Sequence, residues 1–175
     1  MITLLLLLFP ALASLALLVL NTKDAKRAAF LFSIIELAIA LFALLNFQKD
    51  ATTQFLLNTP WVSSLGIHFK IGIDGISMLM VMLTTALFPL IILSTFNKTY
   101  TAEKSFYALM LFMQAGLIGV FVSLDAFLFY TCWEAALIPV YFIAAIWGGA
   151  ERIQATLKFF VYTILGSLLM LAAII

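Results

Sequence analysis

The sequence predicts an all-α integral membrane protein with six transmembrane helices. Three observations carry that prediction. The 175 residues are 66% hydrophobic and only 10% charged, whereas soluble domains carry about 25% charged residues. The apolar residues fall in six long runs rather than in the short alternations of strands. Each run is close to the roughly 20 residues needed to cross a hydrocarbon core about 30 Å thick.

The first helix is expected at residues 2–20. Ala11, Leu12 and Ala13 resemble a signal-peptide cleavage site, but no basic segment precedes the apolar run and the run continues to Leu20, so it reads as a retained helix. The second is expected at 28–47. Next comes the one long connection, 48–74, where Ile67, Phe69, Ile71 and Ile73 alternate with other residues. That pattern suggests a short extracytoplasmic strand or hairpin packed on the bundle; an irregular loop is the other reading. Asp74, in GIDGIS, reads as the N-cap of the third helix. The third to sixth helices are expected at 75–96, 106–123, 126–147 and 153–175, with no repeats and no low-complexity linkers. Together they make a single membrane domain, 1–175. The final stretch LLMLAAII has no polar flank, glycine or proline stop after it, which suggests a truncated piece of a longer protein.

Lys23, Lys26 and Arg27 follow helix 1, Lys98 and Lys104 follow helix 3, and Arg152 follows helix 5. Only Lys49 and Lys70 lie in the other loops. Short loops rich in basic residues stay on the cytoplasmic side. The first set is therefore expected to face the cytoplasm or matrix, with both termini outside.

Composition also excludes functions. A net charge of +1 gives no basic face for nucleic acid. With one cysteine, Cys132, and one histidine, His68, the chain forms no internal disulfide and assembles no zinc or iron-sulfur ligand cluster. No cofactor or metal site is expected in this chain, and its surroundings are the lipid bilayer.

The chemistry concentrates in the fifth helix, AFLFYTCWEAALIPVYFIAAIW. Its one ionisable acid, Glu134, lies well inside the run. A charged group at mid-membrane costs about 2.5 to 3.5 kcal/mol on insertion scales, so such residues face the bundle interior and usually serve a pathway. At 100° per residue, Tyr130, Thr131 and Tyr141 share a side with Glu134, while Cys132 points almost opposite. Pro139 has no N–H and frees the carbonyl of Ala135, beside Glu134, as an acceptor for water. A purely structural helix-helix hydrogen bond is the competing role for Glu134, and a packing kink that for Pro139. Lys158 lies about 9 Å into helix 6 with Gln154 and Tyr162 on its face. It is a possible relay cation if it points inward and an interfacial residue if it snorkels. Glu36, a second mid-helix acid, reads as a helix-helix or inter-subunit hydrogen-bonding residue. Cys132 reads as packing.

With those residues laid out, IGIDGISMLMVMLTT, GVFVSLDAFLFYTCWEAALIPVYFIAAIWGG and LKFFVYTILGSLLMLAAII resemble the antiporter-like subunit M (chain 4) family of NADH:quinone oxidoreductase, respiratory complex I. The resemblance is strong from about residue 70 onward and weak over helices 1 and 2. Its specific element is Trp133-Glu134 with Pro139 five residues on, joined to the downstream IWGG. It implies the N-terminal portion of an antiporter-like helical bundle that pumps protons. In that family the fifth-helix glutamate, matched by Glu134, pairs with a lysine on a later broken helix; that lysine and the central relay would lie beyond Ile175. Lys158 matches a basic position the family commonly shows on helix 6, and Glu36 matches none. Burial disfavours an ionised carboxylate and a nearby ammonium favours it, so a lysine moving toward or away from Glu134 would release or load a proton.

The resemblance further implies other complex I membrane subunits as partners. It implies that NADH, flavin, iron-sulfur clusters and quinone are bound elsewhere in the complex. The expected location is the bacterial inner (cell) membrane, the mitochondrial inner membrane being the alternative. A subunit of a multi-subunit cation/proton antiporter or of a membrane-bound hydrogenase is a rival use of the same fold, and a non-transporting membrane scaffold is a rival of another class.

Overall fold

A computed structural model describes residues 1–19, 25–48 and 52–174. Leu20, Lys23, Lys49 and Ile175, assigned above to helix ends and loops, lie outside the described residues. The elements are α1 (Ile2–Val19), α2 (Ala25–Leu45), β1 (Gln54–Val62), β2 (Ile67–Ile73), α3 (Gly75–Ser94), α4 (Glu103–Val122), α5 (Ala126–Trp147) and α6 (Arg152–Ile174). Among the described residues, six helices are long and apolar enough to span a membrane. α5 has the bounds expected from its run, while α2 and α4 each begin three residues before theirs.

α4 is the central post, packed by α1, α2, α3 and α5, and α6 packs on α5. The α4–α5 packing surface is built from small residues. A Cβ on Gly116 would sit 2.8 Å from the Ala136 Cα, and one on Gly119 would sit 2.7 Å from the Cys132 Sγ. Without a hydrophobic force between helices in lipid, such close backbone approach supplies the van der Waals contact that holds α4 to α5.

At one end of the bundle the 48–74 connection forms an antiparallel hairpin of β1 and β2. Of the two sequence readings, the hairpin is the one observed. Its turn uses Gly66 at φ 67°, a left-handed conformation that favours glycine. Thr3 donates to the Phe55 carbonyl at 2.7 Å, and the Leu124 N–H donates to Lys70 O at 2.9 Å, fixing the hairpin to α1 and to the α4–α5 junction. Asp125 joins these parts. Its carboxylate accepts from the N–H groups of Phe127 (3.0 Å) and Leu128 (3.1 Å), capping α5, and from that of His68 on β2 (3.2 Å).

Desolvation pushes the Asp125 carboxyl up, but the N–H groups of His68, Leu128 and Phe127 and the nearby His68 together pull it below the usual carboxylate range. A depressed folded-state pKa contributes stability above the unfolded value of about 3.9 and loses it as pH falls through the folded value. Asp125→Ala is therefore expected to cost about 1 kcal/mol, as a lost N-cap does. The check is a lower thermal unfolding midpoint in lipid or detergent at neutral pH, with the deficit narrowing in acid.

The other end is basic. Lys26 lies 3.6 Å from Glu103 and donates to Phe96 O at 3.4 Å, and the Trp147 indole N–H donates to Thr101 O at 2.9 Å. The fold gathers Lys26, Arg27, Lys98, Lys104 and Arg152 at this end and leaves Lys70 at the hairpin end. By the positive-inside rule the basic end is expected to face the cytoplasm or matrix. A cysteine introduced at Asn97 is expected to resist an impermeant thiol reagent applied outside intact cells and to react after the cells are opened. Labelling from outside would reverse the topology.

Candidate functional site

The site is built on α5. Glu134 is eight residues past Ala126, about 12 Å into the helix at 1.5 Å per residue. Its direction follows from its neighbours. Ala136 and Cys132 face α4 through Gly116 and Gly119. Glu134 is about 200° around the helix from both, so its side chain leaves α5 away from α4. Tyr141, seven residues on, shares that face, and its ring centroid is 4.7 Å from that of Phe160 on α6. Because α5 and α6 run antiparallel, the residue level with Glu134 on α6 is near Ser167, seven past Phe160. Ser167 is buried and donates to Ile164 O at 3.0 Å, which leaves its oxygen able only to accept.

Glu134 is half-buried, and its Oε1 is shielded from solvent with no hydrogen-bond partner among the described residues. Pro139 is buried and interrupts the ladder, which leaves the Ala135 carbonyl without its helical donor. Thr131 donates to Phe127 O at 2.8 Å. The half-buried rings of Tyr130 and Tyr141 lie one turn before Glu134 and two turns after it. An acid, a freed carbonyl and the spent hydroxyls of Thr131 and Ser167 make this edge of α5 rich in acceptors, with the phenols of Tyr130 and Tyr141 as its nearby donors. Such an edge suits a carboxyl that picks up a proton, or a water, or an approaching cation.

Lys158 is not brought to this edge. Thr156 is buried and the Phe160 ring packs against Tyr141 at a tilt of 49°, so both face α5. Lys158 is about 200° from each and is exposed, as are Gln154 and Tyr162 beside it. It also lies nine residues, about 13 Å, from the level of Ser167. Asp74 caps α3 as expected: the Ser77 N–H donates to its carboxylate at 2.7 Å and holds it below the usual range. Glu36 faces the bundle interior at 1% exposure, not a lipid-facing or subunit-facing surface. Gln114 is fully buried on α4 and neither end of its amide has a partner among the described residues. Sequence reading passed over Gln114, although a lone amide in ALMLFMQAGLIGVFV is a visible signal of a polar interior.

Residues 123–175, covering α5 and α6, match the family described as NADH:quinone oxidoreductase/Mrp antiporter, TM. The chain is 43% identical over 157 residues to F(420)H(2) dehydrogenase subunit M of Methanosarcina mazei, covering 87% of this chain and 32% of that protein. It is 44% identical over 154 residues to NADH-quinone oxidoreductase subunit M of Rhodobacter capsulatus, covering 87% of this chain and 30% of that one. Among solved structures, respiratory complex I from Thermus thermophilus with bound NADH contains a chain that superposes with a TM-score of 0.86 at 28% identity, covering 99% of this chain and 35% of that one. The chain thus spans about a third of the length of the curated relatives it matches.

Proposed function

This chain is homologous to the antiporter-like subunits M (chain 4) of NADH:quinone oxidoreductases, and on that premise we propose that it is a proton-translocating membrane subunit coupling quinone reduction to pumping through Glu134. The observation that carries the reading is the unpartnered Glu134 carboxyl, set inside a membrane-spanning helix and turned away from the central post. Its open side is where a cation from outside this chain would approach. An ammonium brought near would favour the carboxylate and release a proton, and its withdrawal would favour recapture. The proton gate is Glu134, Pro139 and the Ala135 carbonyl, with Tyr130 and Tyr141 shaping the edge. Lys158 serves as a relay through a neighbour packed on the exposed face of α6, whether a further part of a longer protein or another membrane subunit. Redox groups belong to other subunits, and the location is a bacterial cell membrane.

A second reading concerns the electron donor. The identity to the M. mazei subunit M, 43%, is close to the 44% to the R. capsulatus one, which supports F(420)H(2) as an alternative donor to NADH. Affinity purification of the tagged full-length protein in mild detergent tests both readings. Co-purification of other membrane subunits with donor:quinone reductase activity is expected, and the donor oxidised identifies the complex. Recovery of the tagged protein alone, or with antiporter subunits and no reductase activity, would contradict it.

A further inference from the structure

The buried core of the bundle is not continuous. One apolar cluster, toward the hairpin, includes Ala40 and Ala43 of α2, Met78 and Val81 of α3, and Ile118 and Val122 of α4. A second, toward the basic end, includes Ala25 and Ala29 of α2, Ile92 of α3, and Phe106, Tyr107 and Leu111 of α4. Between the two lie the buried polar residues of these helices: Ser33 and Glu36 on α2, Thr84 and Thr85 on α3 next to the buried Phe88 and Pro89, and Gln114 on α4 next to the buried Ala115 and Gly116. Depth agrees. Glu36 lies ten residues above Lys26, and Gln114 lies eleven above its ion-pair partner Glu103, so the two differ by about 1.5 Å in height. The buried stripe of α2 is otherwise Ala25, Ala29, Ser33, Ala40 and Ala43, so Glu36 is its one large side chain facing the interior.

This layer has acceptors in excess. Thr84 donates to Met80 O at 2.8 Å, Thr85 to Val81 O at 2.9 Å, and Ser33 to Phe30 O at 2.8 Å, so each hydroxyl has spent its proton. Pro89 sits inside α3 and leaves the Thr85 carbonyl, at this same level, without its helical donor. Both Glu36 oxygens and both ends of the Gln114 amide are buried without a partner among the described residues. An ionised Glu36 would add two more acceptors and an unpaired charge, which a low-dielectric interior resists strongly. A neutral acid adds the missing donor. The charged groups facing it are remote: α1 and α3 contain no Asp, Glu, Lys, Arg or His, and those of α2 and α4 are Lys26, Arg27, Glu103 and Lys104 at the basic end.

We propose that Glu36, Gln114 and the free Thr85 carbonyl form a mid-membrane proton- and water-binding cell, separate from Glu134 and on the other side of α4. In it Glu36 is a neutral carboxylic acid that donates to the Gln114 Oε1 through one water. The Gln114 amide N–H groups and that water serve the Thr85 carbonyl and the hydroxyl oxygens.

The test is infrared spectroscopy of the full-length protein in lipid at neutral pH, and it does not depend on pumping or on which complex the protein serves. A protonated-carboxyl C=O band is expected to disappear in Glu36→Gln and to persist in Glu134→Gln. A spectrum of Glu36→Gln that loses no such band would overturn the neutral acid. Gln114→Leu, which leaves the acid in place, is expected to shift the band to higher frequency by removing its acceptor; an unmoved band would overturn the pairing. Transfer to D2O is expected to move the band within minutes, and a band that stays protonated for hours would overturn the water.

Discussion

Gly116→Val is expected to abolish assembly of the bundle. Even the first added carbon would lie 2.8 Å from the Ala136 Cα and Cβ and 3.0 Å from its backbone nitrogen, so α5 itself must move. Overpacking of this kind costs about 1–3 kcal/mol and more where backbone cannot yield. In lipid that loss falls on the contact that holds α5, and with it Glu134, against α4. The measurement is the amount of full-length variant folded in membranes, read by protease resistance and by co-purification with its partners, and at least a tenfold loss is expected. Gly116→Ala should be milder and improved by adding Ala136→Gly, which removes the opposing methyl. Gly166→Ala on α6, where nothing lies within 4 Å of the new carbon, is expected to leave assembly intact.

Glu134→Gln is expected to lower proton pumping severely while leaving assembly near normal. The amide keeps the size and hydrogen-bonding capacity of the acid but cannot titrate, and a half-buried amide in a membrane bundle still finds partners. Glu134→Asp keeps the acid on a shorter stem and should retain part of the activity. Glu134→Ala is a poorer probe, because the cavity it leaves beside Pro139 weakens packing as well as chemistry.

The sequence revealed most where a single helix determines the answer. Run length alone placed six spans, and the bounds of α5 were legible because Asp125 before it and Gly148 after it are polar or flexible stops. Glu134 was visible because one acid in an apolar run needs no partner to be noticed. The hairpin was half legible. β2 alternates, but Gln54–Val62 does not and contains Pro60, so β1 is defined by pairing with β2 rather than by its own pattern. The orientation of Lys158 depends on which face of α6 meets α5, which a largely apolar helix does not announce. The layer of Glu36, Thr85 and Gln114 draws one or two residues from each of three helices and becomes a unit only when those helices are packed.

The most direct measurement is the proton-to-electron ratio of the assembled complex carrying Glu134→Gln, in sealed vesicles, compared with wild type and Glu134→Asp. Proton carriage by Glu134 requires the ratio or the coupled turnover to fall sharply in the Gln variant and to recover in part in the Asp variant. A wild-type ratio at wild-type turnover in Glu134→Gln would contradict it and leave Glu134 as a structural hydrogen-bonding residue.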